Sequence, residues 1–189
     1  MIPRGAFTWF ANHAPWGLAF VFVAGVAHVA TILILPHVAT RNAFSRVSGL
    51  SAGPTLIANT PERAPPFHDM ASVTAVCRFD LTQGPFRVRA TPDGDTFLAL
   101  AFHDRASQVF YATTDRAAVR GAIDILLVDA RQLQRIESED SDEAPPQELR
   151  ITPPSAQGFV TIRTLIERDG DRPRAERAAQ AVTCRATPS

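Results

Sequence analysis

The longest apolar run in the chain is Trp16 to Leu35, WGLAFVFVAGVAHVATILIL, which carries no formal charge when His28 is neutral. At a helical rise of about 1.5 Å per residue this stretch reaches roughly 30 Å, the thickness of a bilayer's hydrocarbon core. Pro15 and Pro36 stand at its two ends, and proline is a poor guest inside a helix. The pattern therefore predicts a transmembrane helix over 16–35. A buried core helix would be amphipathic, whereas this one is apolar all round apart from His28 and Thr31. A cleaved signal has a shorter apolar core and small residues at its cleavage site. Here Pro36–His37–Val38–Ala39–Thr40 follows instead, so the reading is an uncleaved anchor. His28 reads as a helix–helix contact or a tolerated neutral imidazole.

Residues 1–15 read as a short tail whose Phe7, Trp9 and Phe10, with Trp16, suit the headgroup level of a membrane face. Residues 36–69 read as a juxtamembrane helix, with Val38, Phe44, Val47 and Leu50 roughly on one side, and then a proline-rich linker through Pro54, Pro61, Pro65 and Pro66. Residues 70–189 read as a β-rich extracytoplasmic domain.

Within that domain, SVTAVCRFDL is a strand that ends at the turn Thr82–Gln83–Gly84–Pro85. FRVRA alternates cleanly, with Phe86, Val88 and Ala90 on one face and Arg87 and Arg89 on the other. TFLALAF is apolar on both faces and reads as a central strand covered on both sides. SQVFYAT completes an expected antiparallel meander, and AIDILLV adds a further strand. From Ala130 the character changes, with six acidic residues between Glu137 and Glu148, and the segment reads as a solvated loop. ELRITPP and GFVTIRTLIE close the sheet. Asp171 and Pro173 open a C-terminal helix, RPRAERAAQAVTC, whose Ala175, Ala178, Ala179 and Val182 give it a small-residue face. The fold class is thus one N-terminal transmembrane helix plus a mainly β (α+β) domain, an antiparallel sheet or sandwich-like meander with a C-terminal helix.

Composition narrows the function classes. Net charge is zero, so no basic footprint points to nucleic acid. All 19 basic residues are arginine, which with the abundant alanine and proline marks a GC-rich bacterial genome. Arg4 precedes the span and Arg41 and Arg46 follow it, nearly a tie under the positive-inside rule. The two cysteines, Cys77 and Cys184, leave two readings open. They form a disulfide if the domain lies outside the cytoplasm, where closing so long a loop stabilises by roughly 4–5 kcal/mol in the chain-entropy model. Otherwise they are two buried free thiols.

Candidate chemistry is sparse. Gly49–Leu50–Ser51–Ala52–Gly53 has the G-x-S-x-G spacing of a nucleophile elbow. That motif needs a strand before it and a helix after it, and here the order is reversed. His68–Asp69 and His103–Asp104 are adjacent pairs whose members point to opposite sides of a strand, so neither pair is a dyad by itself. Brought together across a sheet, with Asp115 nearby, they would make a general-base or metal cluster. No metal-ligand motif, phosphate loop or dinucleotide fingerprint occurs, so no cofactor and no metal is expected. The acidic run lacks the central glycine of a calcium loop.

Residues 67–116 carry a family resemblance. Asp80–Leu81, Gly84–Pro85, Phe86–Ala90, Pro92, Phe97–Asp104 and Val109–Tyr111 follow one another, and ITPPSAQGFVTIRTL, with Arg163, comes later. In this order they resemble a bacterial family of unknown function, domain-of-unknown-function twelve fifty-four. The resemblance implies a β-rich, sandwich-like domain. Short members resemble anchored inner-membrane proteins, often encoded beside a second protein of a related unknown family. Against long members the chain departs in lacking a second domain. It also has His68–Asp69–Met70–Ala71–Ser72–Val73 where they often carry an Asn-x-Asp-Thr-x-Tyr-like stretch, so no catalytic residue transfers.

Two functions follow as expectations. The first is a single-pass bacterial inner-membrane protein whose periplasmic domain binds or assembles with a companion envelope protein, with the bilayer as its other partner. The alternative is a membrane-tethered hydrolase or metal-dependent enzyme using His68, Asp69, His103 and Asp104.

Overall fold

The computed structural model describes residues 4–57, 69–139 and 148–187. Helix α1 spans Arg4–Val47 without interruption, through both Pro15 and Pro36. The helix itself thus stops at neither proline. A proline removes one backbone donor, and in an apolar stretch the remaining backbone groups have no partner outside the helix, so helix resumes on either side. Within α1, His13–Leu35 is long and apolar enough to cross a membrane, a criterion that a signal sequence also meets. Thr31 Oγ1 donates to the Ala27 carbonyl at 2.8 Å, which satisfies that hydroxyl inside the helix itself.

The chain divides into two units, residues 1–40 and residues 41–189. In the second, five strands form one sheet in the order β1-β2-β8-β4-β5, all antiparallel. They are β1 (Thr55–Leu56), β2 (Ser72–Asp80), β4 (Leu98–Asp104), β5 (Val109–Thr114) and β8 (Gln157–Leu165). A second sheet has the order β7-β6-β3-β9, from β3 (Phe86–Ala90), β6 (Ile123–Leu127), β7 (Leu149–Ile151) and β9 (Thr183–Ala186). One hydrophobic core takes side chains from both sheets. Ala75, Cys77 and Phe79 come from β2, Leu98, Leu100 and Phe102 from β4, and Val160 and Ile162 from β8. Phe86 and Val88 of β3 and Ile125 and Leu127 of β6 join them from the second sheet.

The expected meander is corrected by β3, which pairs with neither β2 nor β4 but with β6 and β9. A short 3-10 turn over Leu81–Gln83 and Gly84, at φ 122°, redirect the chain between the sheets. A Cβ at Gly84 would stand 2.9 Å from the Thr187 carbonyl, so this reversal needs glycine on two grounds. On β6 the two arginines of β3 find their charge complement. Arg89 lies directly opposite Asp124, and Arg87 reaches the same carboxylate at 2.7 Å.

β4 sits centrally between β8 and β5 but begins at Leu98 and is buried on one face only, through Leu98, Leu100 and Phe102. Ala99 and Ala101 are half-exposed, so their small apolar side chains had mimicked a second buried face. β2 is covered on both sides. Its Ala75, Cys77 and Phe79 enter the main core, while Val76 on the opposite face joins Phe159, Val47, Leu50, Ile57 and Phe44 in a second cluster. Arg78 Nη1 donates to the Ser48 carbonyl at 2.7 Å and ties the same segment down.

Two further elements depart from the sequence reading. Residues 130–139 are a helix, α2 (Ala130–Glu139), not a loop. It opens on a reciprocal capping box, with the Gln132 amide donating to Asp129 Oδ1 at 2.7 Å and the Asp129 amide to Gln132 Oε1 at 2.9 Å. This helix begins the crossover that lets β6 and β7 pair in parallel. Residues 140–147 of the acidic run lie outside the described residues. At the C-terminus, α3 (Arg172–Ala181) stops before Cys184, and Thr183–Ala186 form strand β9 rather than more helix. Asp171 precedes α3 but its side chain makes no capping bond. Ala175 and Ala179 are buried, and the fully buried Thr164 hydroxyl donates to the Ala175 carbonyl at 2.9 Å.

Candidate functional site

The titratable residues singled out from the sequence are not brought together. His103 lies on β4 opposite Phe159 of β8, while Ser72, just after Asp69, lies opposite Leu165. Six residues of extended strand separate those two positions on β8, a distance of roughly 20 Å. Asp69 and His103 therefore occupy opposite ends of the sheet. His68 lies outside the described residues. Among the described residues, no three His, Cys, Asp or Glu side chains lie close enough to hold a metal ion.

Each of these residues has a local partner instead. Asp69 Oδ1 accepts the Ala71 amide at 2.9 Å, and that bond, with the charge of Arg163, holds its carboxyl below the usual range. Asp104 Oδ1 accepts the Gln108 amide at 2.8 Å and fixes the β4–β5 turn. The His103 ring stacks on Phe159 with centroids 4.5 Å apart and planes 4° from parallel. Its Nε2 lies 3.1 Å from Thr161 Oγ1 and its Nδ1 lies 3.4 Å from the Ser107 carbonyl. Burial pushes the imidazole pKa below its ordinary value, with the Ser107 carbonyl and the charge of Asp104 opposing. Ser51 follows the end of α1 and precedes β1, the reverse of an elbow, and its hydroxyl lies 3.3 Å from the Gly53 carbonyl.

Cys77 and Cys184 are joined, with sulfurs 2.08 Å apart and Cα atoms 6.3 Å apart. Cys77 comes from β2 and Cys184 from β9, so the bond crosses from one sheet to the other through the core.

Among the described residues, two grooves stand out as candidate binding surfaces. The first, about 340 Å³, runs between the β3–β4 loop and α3. Asp93 and Asp95 stand on the loop wall, and Arg174 and Arg177 on the helix wall. Asp93 is shaped by its own loop, because its Oδ1 accepts the amides of Asp95 and Thr96, both at 3.1 Å. The second, about 350 Å³, is lined by Leu50, Arg78, Asp80, Gln83 and Phe86 among others. Burial pushes the Asp80 carboxyl up, but bonds from Thr82 and Gln157 and the charge of Arg78 outweigh it and hold the pKa low. Opposed charges thus stand on the two walls of the first groove, whereas Arg78 and Asp80 of the second share β2 and lie 3.8 Å apart. Neither groove combines a nucleophile with a base.

A third polar feature escaped the sequence reading. Arg87 bonds Asp124 through Nε and Nη2, at 2.7 and 2.8 Å, and also reaches Glu148 Oε2 at 2.8 Å. Arg150 approaches Glu148 Oε1 from the other side at 3.2 Å. The network joins β3, β6 and β7 and raises the Arg87 pKa, chiefly through the Asp124 bonds. Its sequence signal was the Arg-x-Arg alternation of β3 facing a lone acid in an otherwise apolar strand, AIDILLV.

Comparison with known proteins comes from a family model and from solved structures. The model described as "Protein of unknown function (DUF1254)" matches residues 59–186. The VPA0106 protein from Vibrio parahaemolyticus is similar at 13% identity and a TM-score of 0.51, over 78% of this chain and 35% of its own. An uncharacterised protein from Burkholderia cenocepacia is 11% identical with a TM-score of 0.44, over 72% of this chain and 34% of its own. The chain thus spans about a third of the length of these two structures. The likeness to VPA0106 is one of fold. No curated protein matches the chain.

Proposed function

The chain belongs to the DUF1254 family of proteins of unknown function, and from that premise we propose a single-pass inner-membrane protein with a periplasmic binding or assembly domain. Its two sheets pack as a sandwich, and its partner is a companion envelope protein. The observation that carries this reading is the Cys77–Cys184 bridge. Cytosolic thiols are kept reduced, whereas bridges persist in the periplasm and other oxidising compartments. A domain whose two sheets are joined through such a bond is suited to the outer side of the membrane. The apolar stretch His13–Leu35 ahead of it supplies the anchor.

Binding is favoured over catalysis by the placement of the titratable groups. Asp69, Asp104 and His103 each serve a local turn or stack, and the first groove offers opposed charges without a reacting pair. The test is the side of the membrane that residue 189 faces, read with C-terminal alkaline phosphatase and fluorescent-protein fusions. The expected result is an active phosphatase, a dark fluorescent fusion, and cysteines that take up a thiol label only after reduction. A fluorescent, phosphatase-dead fusion would overturn the periplasmic reading and remove the bridge from the argument.

A further inference from the structure

The groove between the β3–β4 loop and α3 has two walls of opposite charge, each fixed by its own bonds or packing. One wall is the loop, where Asp93 and Asp95 stand. Asp93 Oδ1 accepts the amides of Asp95 and Thr96, and Gly94 takes φ 82° between the two acids, so the turn is closed locally. The other wall is α3. Its Arg174, Arg177, Ala178 and Ala181 fall at i, i+3, i+4 and i+7 and share the face that lines the groove. The neighbouring stripe, Ala175 and Ala179, is buried in the core, and the Thr164 bond to the Ala175 carbonyl pins the helix there. The floor is apolar, with Leu98 and Val182 both buried.

The charges on these walls are not spent on each other. Among the described residues no ion pair crosses the groove, and the side chains of Asp95, Arg174 and Arg177 make no hydrogen bond. They differ in this from Arg78, Arg87 and Arg150, whose guanidinium groups are bonded within the domain. The turn bonds of Asp93 engage Oδ1 and not Oδ2. A molecule that meets both walls must carry a cation at one end and an anion at the other. The small side chains of Ala178 and Ala181 leave the space between for a short uncharged body.

We propose that this groove binds a free peptide of two or three residues, with its ammonium group at Asp93 and Asp95 and its carboxylate at Arg174 and Arg177. Its volume, about 340 Å³, lies at the small end of the range for small-molecule sites, about 300–1,000 Å³. A stable protein interface instead buries about 1,200–2,000 Å². Fully extended, two or three residues hold their ends about 7–11 Å apart, enough to reach both walls of a groove too wide for direct pairing. Two arginines one turn apart suit a carboxylate through charge-assisted bonds, and carboxylates accept from an ammonium. Walls already held in place reduce the ordering cost of binding. The proposal goes beyond the companion-protein reading and does not depend on which side of the membrane the domain faces.

The test uses the full chain in detergent micelles and trialanine as the probe, titrated by ligand-detected NMR beside N-acetyl-trialanine and trialanine amide. Trialanine is expected to bind with a Kd on the order of 0.1–1 mM, and each blocked peptide about fivefold more weakly. Arg177→Gln is expected to cost about fivefold for trialanine and nothing for the amide, which already lacks the carboxylate. Asp95→Asn is expected to cost as much for trialanine and nothing for the acetylated peptide. Ala181→Leu fills the groove from an exposed position and is expected to weaken all three peptides. Arg131→Gln, exposed on α2, is the control and is expected to change nothing. All four positions are exposed, and a thermal melt checks folding. Trialanine that does not bind at about 10 mM overturns the proposal. So does binding indifferent to both blocked ends. Binding that feels the blocked ends but not Arg177→Gln or Asp95→Asn places the peptide elsewhere and overturns it too. This titration and the fusion assay fail separately, because purified protein binds or does not bind the peptide whichever way residue 189 faces.

Discussion

Gly158→Ala offers the sharpest test of how the core is packed. Gly158 lies in β8, opposite Phe79 of β2 on one side and Asp104 of β4 on the other. The fully buried Phe79 ring lies across this position, with its centroid 6.4 Å from that of Phe110 and 6.1 Å from that of Phe86. A Cβ at Gly158 would collide with Phe79 Cζ and with the His103 carbonyl oxygen, and would stand 2.7 Å from Phe79 Cε1. Two effects oppose each other. Alanine reduces the entropy of the unfolded chain and stabilises by about 0.4–1 kcal/mol where the backbone permits it. Overpacking costs about 1–3 kcal/mol, and the upper end applies because one obstacle is backbone and the other a ring enclosed by rings. The net expectation is destabilisation by about 2 kcal/mol. Urea unfolding with the disulfide intact reads it as a midpoint lowered by on the order of 1 M at unchanged slope. Phe79→Leu in the same background removes half of the obstruction, so the double variant should lose less than the sum of the single losses, by about 1 kcal/mol. An unchanged or raised midpoint for Gly158→Ala would refute the account of a ring lying across a missing side chain.

Other expectations follow from the remaining pieces of the core and surface. Cys77→Ser removes a bridge that spans 107 residues, which the chain-entropy model puts at about 5 kcal/mol; a melting temperature indifferent to this change or to reductant would contradict it. His103 has a folded-state pKa below its ordinary 6.5, so the unfolded chain takes up the proton first as pH falls. Its contribution is full above about 6.5 and is lost as pH drops toward the folded value. His103→Gln should flatten that part of the stability profile, and an identical slope in both proteins would count against burial as the cause. Asp124→Asn breaks a bidentate bond to Arg87 that is 15% exposed on the acid side and should cost about 1.5–3 kcal/mol. Arg89→Ala touches the same carboxylate only at 3.9 Å from a 58% exposed side chain, so it should cost under about 1 kcal/mol. Equal losses would show that the two arginines are not distinguished by burial.

The strands that alternate were legible from sequence, and those whose partners are remote were not. FRVRA and GFVTIRTL read as strands because alternate side chains face opposite environments, which is a local signal. Sheet membership is not local. That β3 pairs with β6 rather than β2 brings it against Asp124, more than thirty residues on, a distance that the pattern of FRVRA does not reveal. Strand β9 escapes the pattern because it is four residues long and follows an alanine-rich helix whose periodicity runs on into it when Val182 is counted as helical, whereas Val182 is extended. Helix α2 was hidden by its acidic end. Its start signal was present in Asp129 and Gln132, three residues apart, the capping-box spacing. The cysteines show the limit most plainly, because spacing permits both a bridge and two thiols and only the placement of β2 against β9 joins them.

The fate of the polar side chains bears on function more than any single groove does. A reacting site needs groups whose bonding capacity is left over for a substrate. In this domain the groups that looked reactive are consumed locally. Asp69 and Asp104 close turns, Asp80 takes bonds from Thr82 and Gln157, and His103 is held between Phe159, Thr161 and the Ser107 carbonyl. Arg78 anchors the segment after α1, and Arg87 is committed to two carboxylates. Among the described residues, opposed charges stand on the walls of the first groove, Asp93 and Asp95 on one and Arg174 and Arg177 on the other. Exposed opposite charges recognise other chains by direction. Under the proposed binding role, these charges are the chemistry offered to a partner.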